Sequence, residues 1–401
     1  MREAFIYDGL RTPFGRHAGA LAAIRPDDLL SAVIQAVVER SPFRQDQYED
    51  VIVGCTNQAG EDCRNIARRA GLMAGLPVDV AGMTVNRLCA SGLAAVLDAS
   101  RAVQCEQGEL FVAGGVESMS RGPFVIAKSE RAYGRQFAAY DSTLGSRFPN
   151  QVVVKQYGDH AMYETAEEIA SDMGVTRGAS DRFAASSQQK YEHAKRSSFF
   201  SGELHPVSVV GSRRGEPKSV VEDEHPRPET DFERLSHLKP LSDDGVVTAG
   251  NASGINDGAV ALIVGSRDAG AKVEMAPIAR VVAAAVAGVE PRVMGLGPVP
   301  ASRKALARAG LTLDDMDVIE INEAFASQVL GCLKLFDLSA EDSRINPNGG
   351  AIAIGHPLGA SGARLALTAV RELQRTEGRY ALVTLCIGVG QGLAAIVERV
   401  H

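Results

Sequence analysis

Two cysteines and a histidine stand where acyl-transfer chemistry could be done. Cys89 lies in Thr84-Val-Asn-Arg-Leu-Cys-Ala-Ser-Gly, where a short strand gives way to a helix. A thiol at a helix N-terminus feels the positive end of the dipole, which lowers its pKa and favours the thiolate. Most cysteines are simply buried apolar side chains; here the small neighbours leave the sulfur accessible. Cys386 ends the apolar strand Ala381-Leu-Val-Thr-Leu and precedes Gly388-Val-Gly-Gln-Gly. Glycines after a strand let backbone N–H groups face a ligand. His356 lies in Asn346-Pro-Asn-Gly-Gly-Ala-Ile-Ala-Ile-Gly-His-Pro-Leu-Gly-Ala-Ser-Gly, a glycine-rich loop of the kind that positions an acid or base. Asn322, in Ile321-Asn-Glu-Ala-Phe, ends the strand begun at Val318. It could hold a water or a carbonyl, although Asn is also a common turn former.

Two thiols and an imidazole suggest acyl transfer coupled to proton transfer at carbon. One thiolate attacks a carbonyl, the imidazole takes its proton, and the second thiol handles the proton of a carbon acid. No Gly-x-Ser-x-Gly elbow competes, and no C-x-x-C pair or cluster of ligands suggests a metal. The glycine run after Cys386 could be misread as a dinucleotide loop. Only nine residues follow Gly392, too few for a helix, a second strand and an acidic ribose partner.

Alternating strands and helices must position these groups. Ala4-Phe-Ile-Tyr-Asp reads as a strand, and Pro26 to Glu39 as an amphipathic helix with Asp27 and Asp28 in its first turn. Val51-Ile-Val-Gly is a strand, Asn65 to Ala74 a helix, and Met83-Thr-Val-Asn a short strand. Ser91 to Gln104 is a small-residue helix, and Leu110-Phe-Val-Ala-Gly-Gly another strand. This pattern predicts an α/β domain with a mostly parallel sheet.

The plan then repeats. Asp50-Val-Ile recurs as Asp317-Val-Ile, 267 residues on; Ala90-Ser-Gly recurs as Ala360-Ser-Gly, 270 on. Gly108 and Gly378, again 270 apart, each precede an apolar strand. Three matches in order at a nearly constant offset indicate two copies of one domain. The predicted division is 1–119 plus 246–275, an insertion at 120–245, and 276–401. The insertion is rich in turn signals, with Gly211-Ser-Arg-Arg-Gly and Glu222-Asp-Glu-His-Pro-Arg-Pro as loops and helices at Thr165 to Met173 and Asp181 to Ser197. Such insertions commonly cover an active site.

The chain has 401 residues, 45% of them apolar, and no tryptophan, so small residues must do much of the packing. A net charge of −7 without a Lys/Arg stripe argues against nucleic acid. Six scattered cysteines argue against a disulfide framework. Met1-Arg-Glu-Ala-Phe-Ile lacks a signal-peptide pattern, the longest weakly polar run, Val281 to Val289, is too short to span a membrane, and the terminal Glu-Arg-Val-His is not a peroxisomal address. A cytoplasmic setting is expected.

Taken together, the motifs resemble the thiolase family over essentially the whole chain. They are Asn86-Arg-Leu-Cys-Ala-Ser-Gly, Gly114-Gly-Val-Glu-Ser-Met-Ser, Thr248-Ala-Gly-Asn-Ala-Ser-Gly-Ile-Asn-Asp-Gly-Ala, Met294-Gly-Leu-Gly-Pro-Val-Pro-Ala, Asn322-Glu-Ala-Phe-Ala, Gly355-His-Pro-Leu-Gly and Cys386-Ile-Gly-Val-Gly-Gln-Gly. The resemblance implies two similar α/β domains in a five-layered α-β-α-β-α core with an inserted loop domain. It implies that Cys89 carries the acyl group, His356 is the base for Cys89 and for the CoA thiol, and Cys386 is the acid/base at the substrate α-carbon. Asn322 would hold a water that forms one oxyanion hole with His356. The N–H groups of Cys89 and Gly388 would form the other. Arg227, Ala249 and Ser253 fall where the family contacts CoA. No metal or cofactor beyond co-substrate CoA is implied, and the assembly would be a homodimer or homotetramer.

Within the family the resemblance is greatest to thiolases that act on β-ketoadipyl-CoA (3-oxoadipyl-CoA). It is carried by Gly9-Leu-Arg-Thr-Pro-Phe-Gly-Arg, Asn57-Gln-Ala-Gly-Glu-Asp, Arg121-Gly-Pro-Phe-Val, Pro291-Arg-Val-Met-Gly and Gly390-Gln-Gly. The implied reaction takes 3-oxoadipyl-CoA and CoA to succinyl-CoA and acetyl-CoA, in aromatic-compound catabolism. Alternatives are an acetyl-CoA acetyltransferase, a broad 3-ketoacyl-CoA thiolase, and a non-catalytic CoA or acyl carrier on the same fold. A dicarboxylic acyl chain ends in a carboxylate that must be paired when desolvated. Arg121, Lys128, Arg131, Arg135 and Arg147 are the cations at the start of the insertion, and Arg147 is the predicted partner.

Overall fold

Strands and helices alternate as expected in the computed structural model, which describes residues 2–135, 137–209 and 218–400. The first half runs β1 (Phe5–Arg11), α1 (Pro26–Arg40), β2 (Asp50–Gly54), α2 (Ile66–Met73), β3 (Ala81–Val85), α3 (Ser91–Gln104) and β4 (Leu110–Ser118). Helix α1 begins with Pro26 and two aspartates, and it buries Leu29, Leu30, Val33, Ile34, Val37 and Val38 on one stripe. Asn65 caps α2 by accepting from the Arg68 amide. After the insertion, which holds α4 (Met162–Met173) and α5 (Arg177–Arg196), come β5 (Asn256–Gly265), β6 (Ala279–Gly288), α6 (Pro298–Ala309), β7 (Val318–Ile321), α7 (Ala326–Phe336), α8 (Leu358–Thr376), β8 (Tyr380–Ile387) and β9 (Gln391–Arg399).

The strands hydrogen-bond in the order β7-β8-β9-β6-β1-β5-β4-β2-β3, with the short strand Gly15–Arg16 beside β5. The two halves meet at β1 and β6 through two residue pairs, Phe5 with Arg280 and Ile6 with Ala279. The expectation of a mostly parallel sheet is corrected. Only β2–β3, β2–β4 and β7–β8 are parallel, and the other main pairings are antiparallel. Parallel pairs arise where a helix carries the chain back over the sheet. β8 and β9 instead form a hairpin closed by Gly388, Val389 and Gly390, with positive φ at the last two.

Alternate residues of each strand serve opposite faces, and this builds five layers. Val51 and Val53 pack with α1 and α2 on the outside of the first half. Ile52 packs with α3 and α8 in the middle. In the second half Val383 faces the middle layer, while Leu382 faces α6 and α7 outside. In the middle layer backbones touch. A Cβ on Gly92 would lie 2.6 Å from the Gly359 carbonyl oxygen, and one on Gly362 would lie 2.5 Å from the Leu93 nitrogen. Small residues thus bring the start of α8 against α3. The repeat is inexact here: Ala90 caps α3, whereas Ala360-Ser-Gly lies inside the first turn of α8.

In the insertion, α4 starts three residues before the predicted Thr165 and α5 four before Asp181, with Thr176 capping α5. The predicted loop Gly211 to Gly215 lies outside the described residues. The loop from Glu222 carries a buried anchor. Arg11 of β1 is fully buried between Asp223, at 2.6 and 2.8 Å, and Glu203, at 2.5 Å. A bidentate charge pair of this kind fixes the insertion to the sheet with defined geometry.

Candidate active site

Cys89 sits on a pinned turn between β3 and α3. The Asn86 side chain accepts from the Leu88 amide at 2.9 Å; Ser91 Oγ accepts from the Arg87 amide at 2.8 Å and donates to the Leu88 carbonyl at 2.6 Å. Leu88 is held at φ 46°, a conformation that costs a side-chain-bearing residue on the order of 1 kcal/mol. Its side chain would be 3.2 Å from a Cβ on Gly388, so the nucleophile turn and the β8–β9 turn are in contact.

The second cysteine arrives on that hairpin. Cys386 pairs with Gly392 across β8–β9 and is buried beside Met294 and Ala324. Asn322, just past the end of β7, donates its amide to the Thr384 carbonyl at 3.0 Å, two residues before Cys386. His356 follows Gly355, whose φ of 108° and 2.5 Å approach to Asn256 exclude a side chain. The His356 amide donates to Asn256 Oδ1 at 2.9 Å, and Asn256 in turn donates to the Gly15 carbonyl. The His356 ring has Nε2 3.3 Å from Asn322 Nδ2 and Nδ1 2.7 Å from Ser361 Oγ. Asn322 Oδ1 is buried without a partner among the described residues, which fits an acceptor for a bound water.

The electrostatics differ from the sequence-based expectation for Cys89. Burial pushes its thiol up to about 11; the Gly388 amide and its own amide pull it down, and the Glu117 charge pushes it up. The end of α3 therefore does not produce a resting thiolate, because desolvation outweighs a terminal dipole that acts only over about one turn. Burial, followed by the Arg364 charge, brings His356 down to about 3. Cys386 is raised well above the usual thiol range, chiefly by burial and then by Cys89 and Cys332. These directions favour a neutral imidazole and two protonated thiols at neutral pH. Such a set can pass a proton from an attacking thiol to the imidazole and from a second thiol to carbon.

Family comparison decides the assignment. The profile for the N-terminal domain of thiolases matches residues 4–268, and that for the C-terminal domain matches residues 275–399.

The chain belongs to the thiolase family.

Relatives match it along their full length. The 3-oxoadipyl-CoA/3-oxo-5,6-dehydrosuberyl-CoA thiolase of Escherichia coli (strain K12) is 54% identical over 402 residues, covering 100% of both chains. A β-ketoadipyl-CoA thiolase of Acinetobacter baylyi is 51% identical with the same coverage. Human mitochondrial 3-ketoacyl-CoA thiolase, solved in complex with CoA, superposes with a TM-score of 0.91 at 38% identity, covering 100% of this chain and 98% of that one.

This thiolase places the remaining predicted residues as follows. Ser253 donates its amide to the Ala324 carbonyl at 2.9 Å, next to the Asn322 turn. Its neighbour Gly254 abuts the His225 ring, which feels the charge of Arg227. Arg227 and Ala249 are exposed, and Ser253 is half-buried. Arg147 is half-buried. No cluster of three His, Cys, Asp or Glu side chains among the described residues is arranged to hold a metal ion.

Several positioning groups were missed. Glu117 is buried at the end of β4 and accepts from Thr56 Oγ1 at 2.8 Å and from the amides of Thr56, Asn57 and Gly359. It ties the start of α8 to the loop after β2. Glu323 does the same behind Asn322, accepting from Ser187, Asn346 and the Ile352 amide at 2.7, 2.7 and 3.1 Å. An acid inside the wholly buried run Leu110–Ser118, and another directly after Asn322, were the available signals.

Proposed function

We propose that this thiolase cleaves 3-oxoadipyl-CoA with CoA to give succinyl-CoA and acetyl-CoA. The observation that carries the reading is full-length identity of 51–54% with relatives named for 3-oxoadipyl- or β-ketoadipyl-CoA. Degradation of aromatic compounds is the metabolic setting that such a substrate suits. Cys89 Sγ attacks the C3 carbonyl and His356 Nε2 takes the thiol proton. The C2–C3 bond breaks, and the carbanion of the departing acetyl-CoA takes a proton from Cys386, which is restored from His356. Succinyl-Cys89 remains. The CoA thiol then attacks this thioester, again giving its proton to His356, which returns it to the Cys89 thiolate as succinyl-CoA leaves.

Support for these roles comes from the geometry. The Gly388 and Cys89 amides both favour a negative charge at the Cys89 sulfur, as donors to an oxyanion there should. Loss of one such donor typically costs roughly 3 kcal/mol. Asn322 Nδ2 beside His356 Nε2 suits a second oxyanion site at the thioester carbonyl, completed by a water. Arg227, Ala249 and Ser253 are assigned to CoA, which is a co-substrate; no metal or other cofactor enters the scheme.

The division into 1–119 plus 246–275, 120–245 and 276–401 belongs to this reading, since the first and last segments supply the strands of the main sheet. A homodimer or homotetramer is proposed on exposed apolar side chains of the insertion, among them Phe124, Tyr133, Phe137 and Val152. A cytoplasmic location suits six cysteines, none of them disulfide-bonded. No helix among the described residues is long and apolar enough to cross a membrane. The deciding experiment is kcat/KM for 3-oxoadipyl-CoA against acetoacetyl-CoA and longer 3-oxoacyl-CoAs. A preference for the dicarboxylic substrate is expected. Equal or better use of acetoacetyl-CoA would favour an acetyl-CoA acetyltransferase, and preference for longer neutral chains a broad 3-ketoacyl-CoA thiolase.

A further inference from the structure

We propose that Arg147 is the specificity-determining residue that pairs the distal carboxylate of a dicarboxylic 3-oxoacyl-CoA. The inference rests on the substrate reading above. It begins with the fate of the five cations at the start of the insertion. Arg121 is taken, its guanidinium held by both oxygens of Glu61 at 2.5 and 2.7 Å. Lys128, Arg131 and Arg135 are exposed. Arg147 is half-buried, and no ion pair or hydrogen bond among the described residues engages its guanidinium. A cation that is partly desolvated and unpaired is costly unless a ligand completes it.

Two hydrogen-bonded links tie the segment that carries Arg147 to the loops around the nucleophile. On one side, Ser146 Oγ donates to Asp159 at 2.6 Å. The chain then leads within three residues to Met162, whose sulfur would be 4.0 Å from a Cβ on Gly388, a position that the Leu88 side chain of the nucleophile turn approaches to 3.2 Å. On the other, Asn57 Nδ2 donates to Ser142 Oγ at 3.0 Å, and the Asn57 amide donates to Glu117, whose charge acts on Cys89. Thr143 Oγ1 also donates to the Met119 carbonyl at 3.2 Å. The segment carrying Arg147 is therefore stitched to both walls around the nucleophile.

Asp62 explains how the cation is held near without being consumed. It is buried, and its two oxygens accept from the Gly60 and Arg64 amides at 2.8 and 3.1 Å. It feels the Arg147 charge, and no salt bridge joins the two among the described residues. A planar fork with parallel donors matches a carboxylate bidentately, which a neutral acyl chain cannot use.

The test compares 3-oxoadipyl-CoA with 3-oxohexanoyl-CoA, a neutral chain of equal length, in the full-length wild type, Arg147→Ala and Arg147→Lys. The selectivity ratio in kcat/KM should fall about 10- to 100-fold in Arg147→Ala and by less in Arg147→Lys, which keeps the charge but loses the fork. An unchanged ratio in both variants, or equal losses on the two substrates, overturns the assignment. A wild type with no preference for 3-oxoadipyl-CoA overturns instead the substrate reading on which it rests.

Discussion

The Ser361 hydroxyl lies 2.7 Å from His356 Nδ1 and donates to the Pro357 carbonyl at 2.8 Å. A hydroxyl has one proton, so with that proton on the carbonyl Ser361 Oγ accepts from Nδ1–H. The ring tautomer follows: Nε2 carries the lone pair and points at Asn322 Nδ2, 3.3 Å away. Ser361 is thus a positioning residue, one helical turn into α8, for the nitrogen proposed as the base.

Ser361→Ala should lower kcat about 10- to 100-fold, part of the rate that a positioned general base supplies. The fold should persist, since the substitution removes a single oxygen atom from one helical position. Its diagnostic is the split between kcat and KM: loss of the acceptor on Nδ1–H frees the ring to populate the other tautomer, which lowers kcat and leaves KM near the wild-type value. Ser361→Thr, which keeps the hydroxyl, should restore most of the activity. A slow Ser361→Ala enzyme whose loss lies in KM, or that Ser361→Thr does not rescue, would leave only a packing role.

The wild-type pH profile is itself a prediction. His356 is depressed from 6.5 to about 3, and the Cys89 thiol is raised to about 11. The base is lost only as pH falls toward the lower value, and the thiol ionises only toward the upper. kcat/KM should therefore be level between about pH 5 and 9, with no inflection near 6.5. The sign for folding is consistent. Unfolded His356 binds a proton below 6.5 while the folded ring does not until about 3, so this residue subtracts stability as pH falls through 6.5. An acid limb at 6.5 in kcat/KM would mean a solvated imidazole or a resting ion pair.

Much of this site was legible in the residues, for reasons that also explain the misses. Strand and helix alternation follows from periodicity, so α3 lies at the predicted Ser91 to Gln104. Chain direction is not written in periodicity, so the antiparallel joins of β1, β5 and β6 were not foreseen. Cys89 was singled out for its place before a helix, yet its acidity runs opposite to that argument. Burial depends on α8 and the β8–β9 turn, which come from more than 260 residues further along the chain. Asn256 and Glu117 serve as clamps through side chains that meet loops distant in sequence, and no local spacing marks such partners.

The middle layer supplies a stability test. Gly92→Ala on α3 would gain up to about 1 kcal/mol from helix propensity. Its Cβ would, however, stand 2.6 Å from the Gly359 oxygen and 2.8 Å from the Ala363 nitrogen, both backbone atoms. Overpacking against backbone costs roughly 1–3 kcal/mol, and contacts this short belong at the upper end, so net destabilisation of about 2 kcal/mol is expected. Thermal unfolding should show a lower Tm. Turnover should fall as well, because Gly359 lies in the first turn of α8, three residues after His356. A raised Tm would mean that α3 and α8 are further apart than described.

The two cysteines should be separable by experiment. Cys89→Ser should abolish acyl transfer: no labelled acetyl group is trapped on the protein from acetyl-CoA, since a hydroxyl ionises far less readily than a thiol and is a poorer nucleophile. Cys386→Ala should still load the label onto Cys89, because that step needs only Cys89 and His356. It should lose exchange of the α-protons of acetyl-CoA with deuterated water, by about 10²- to 10⁴-fold, the usual contribution of a placed acid or base. Exchange that survives in Cys386→Ala would pass the carbon acid to His356. Labelling that survives in Cys89→Ser would move the acyl group to another nucleophile, and a wild type that traps no label would restore the carrier reading of the fold.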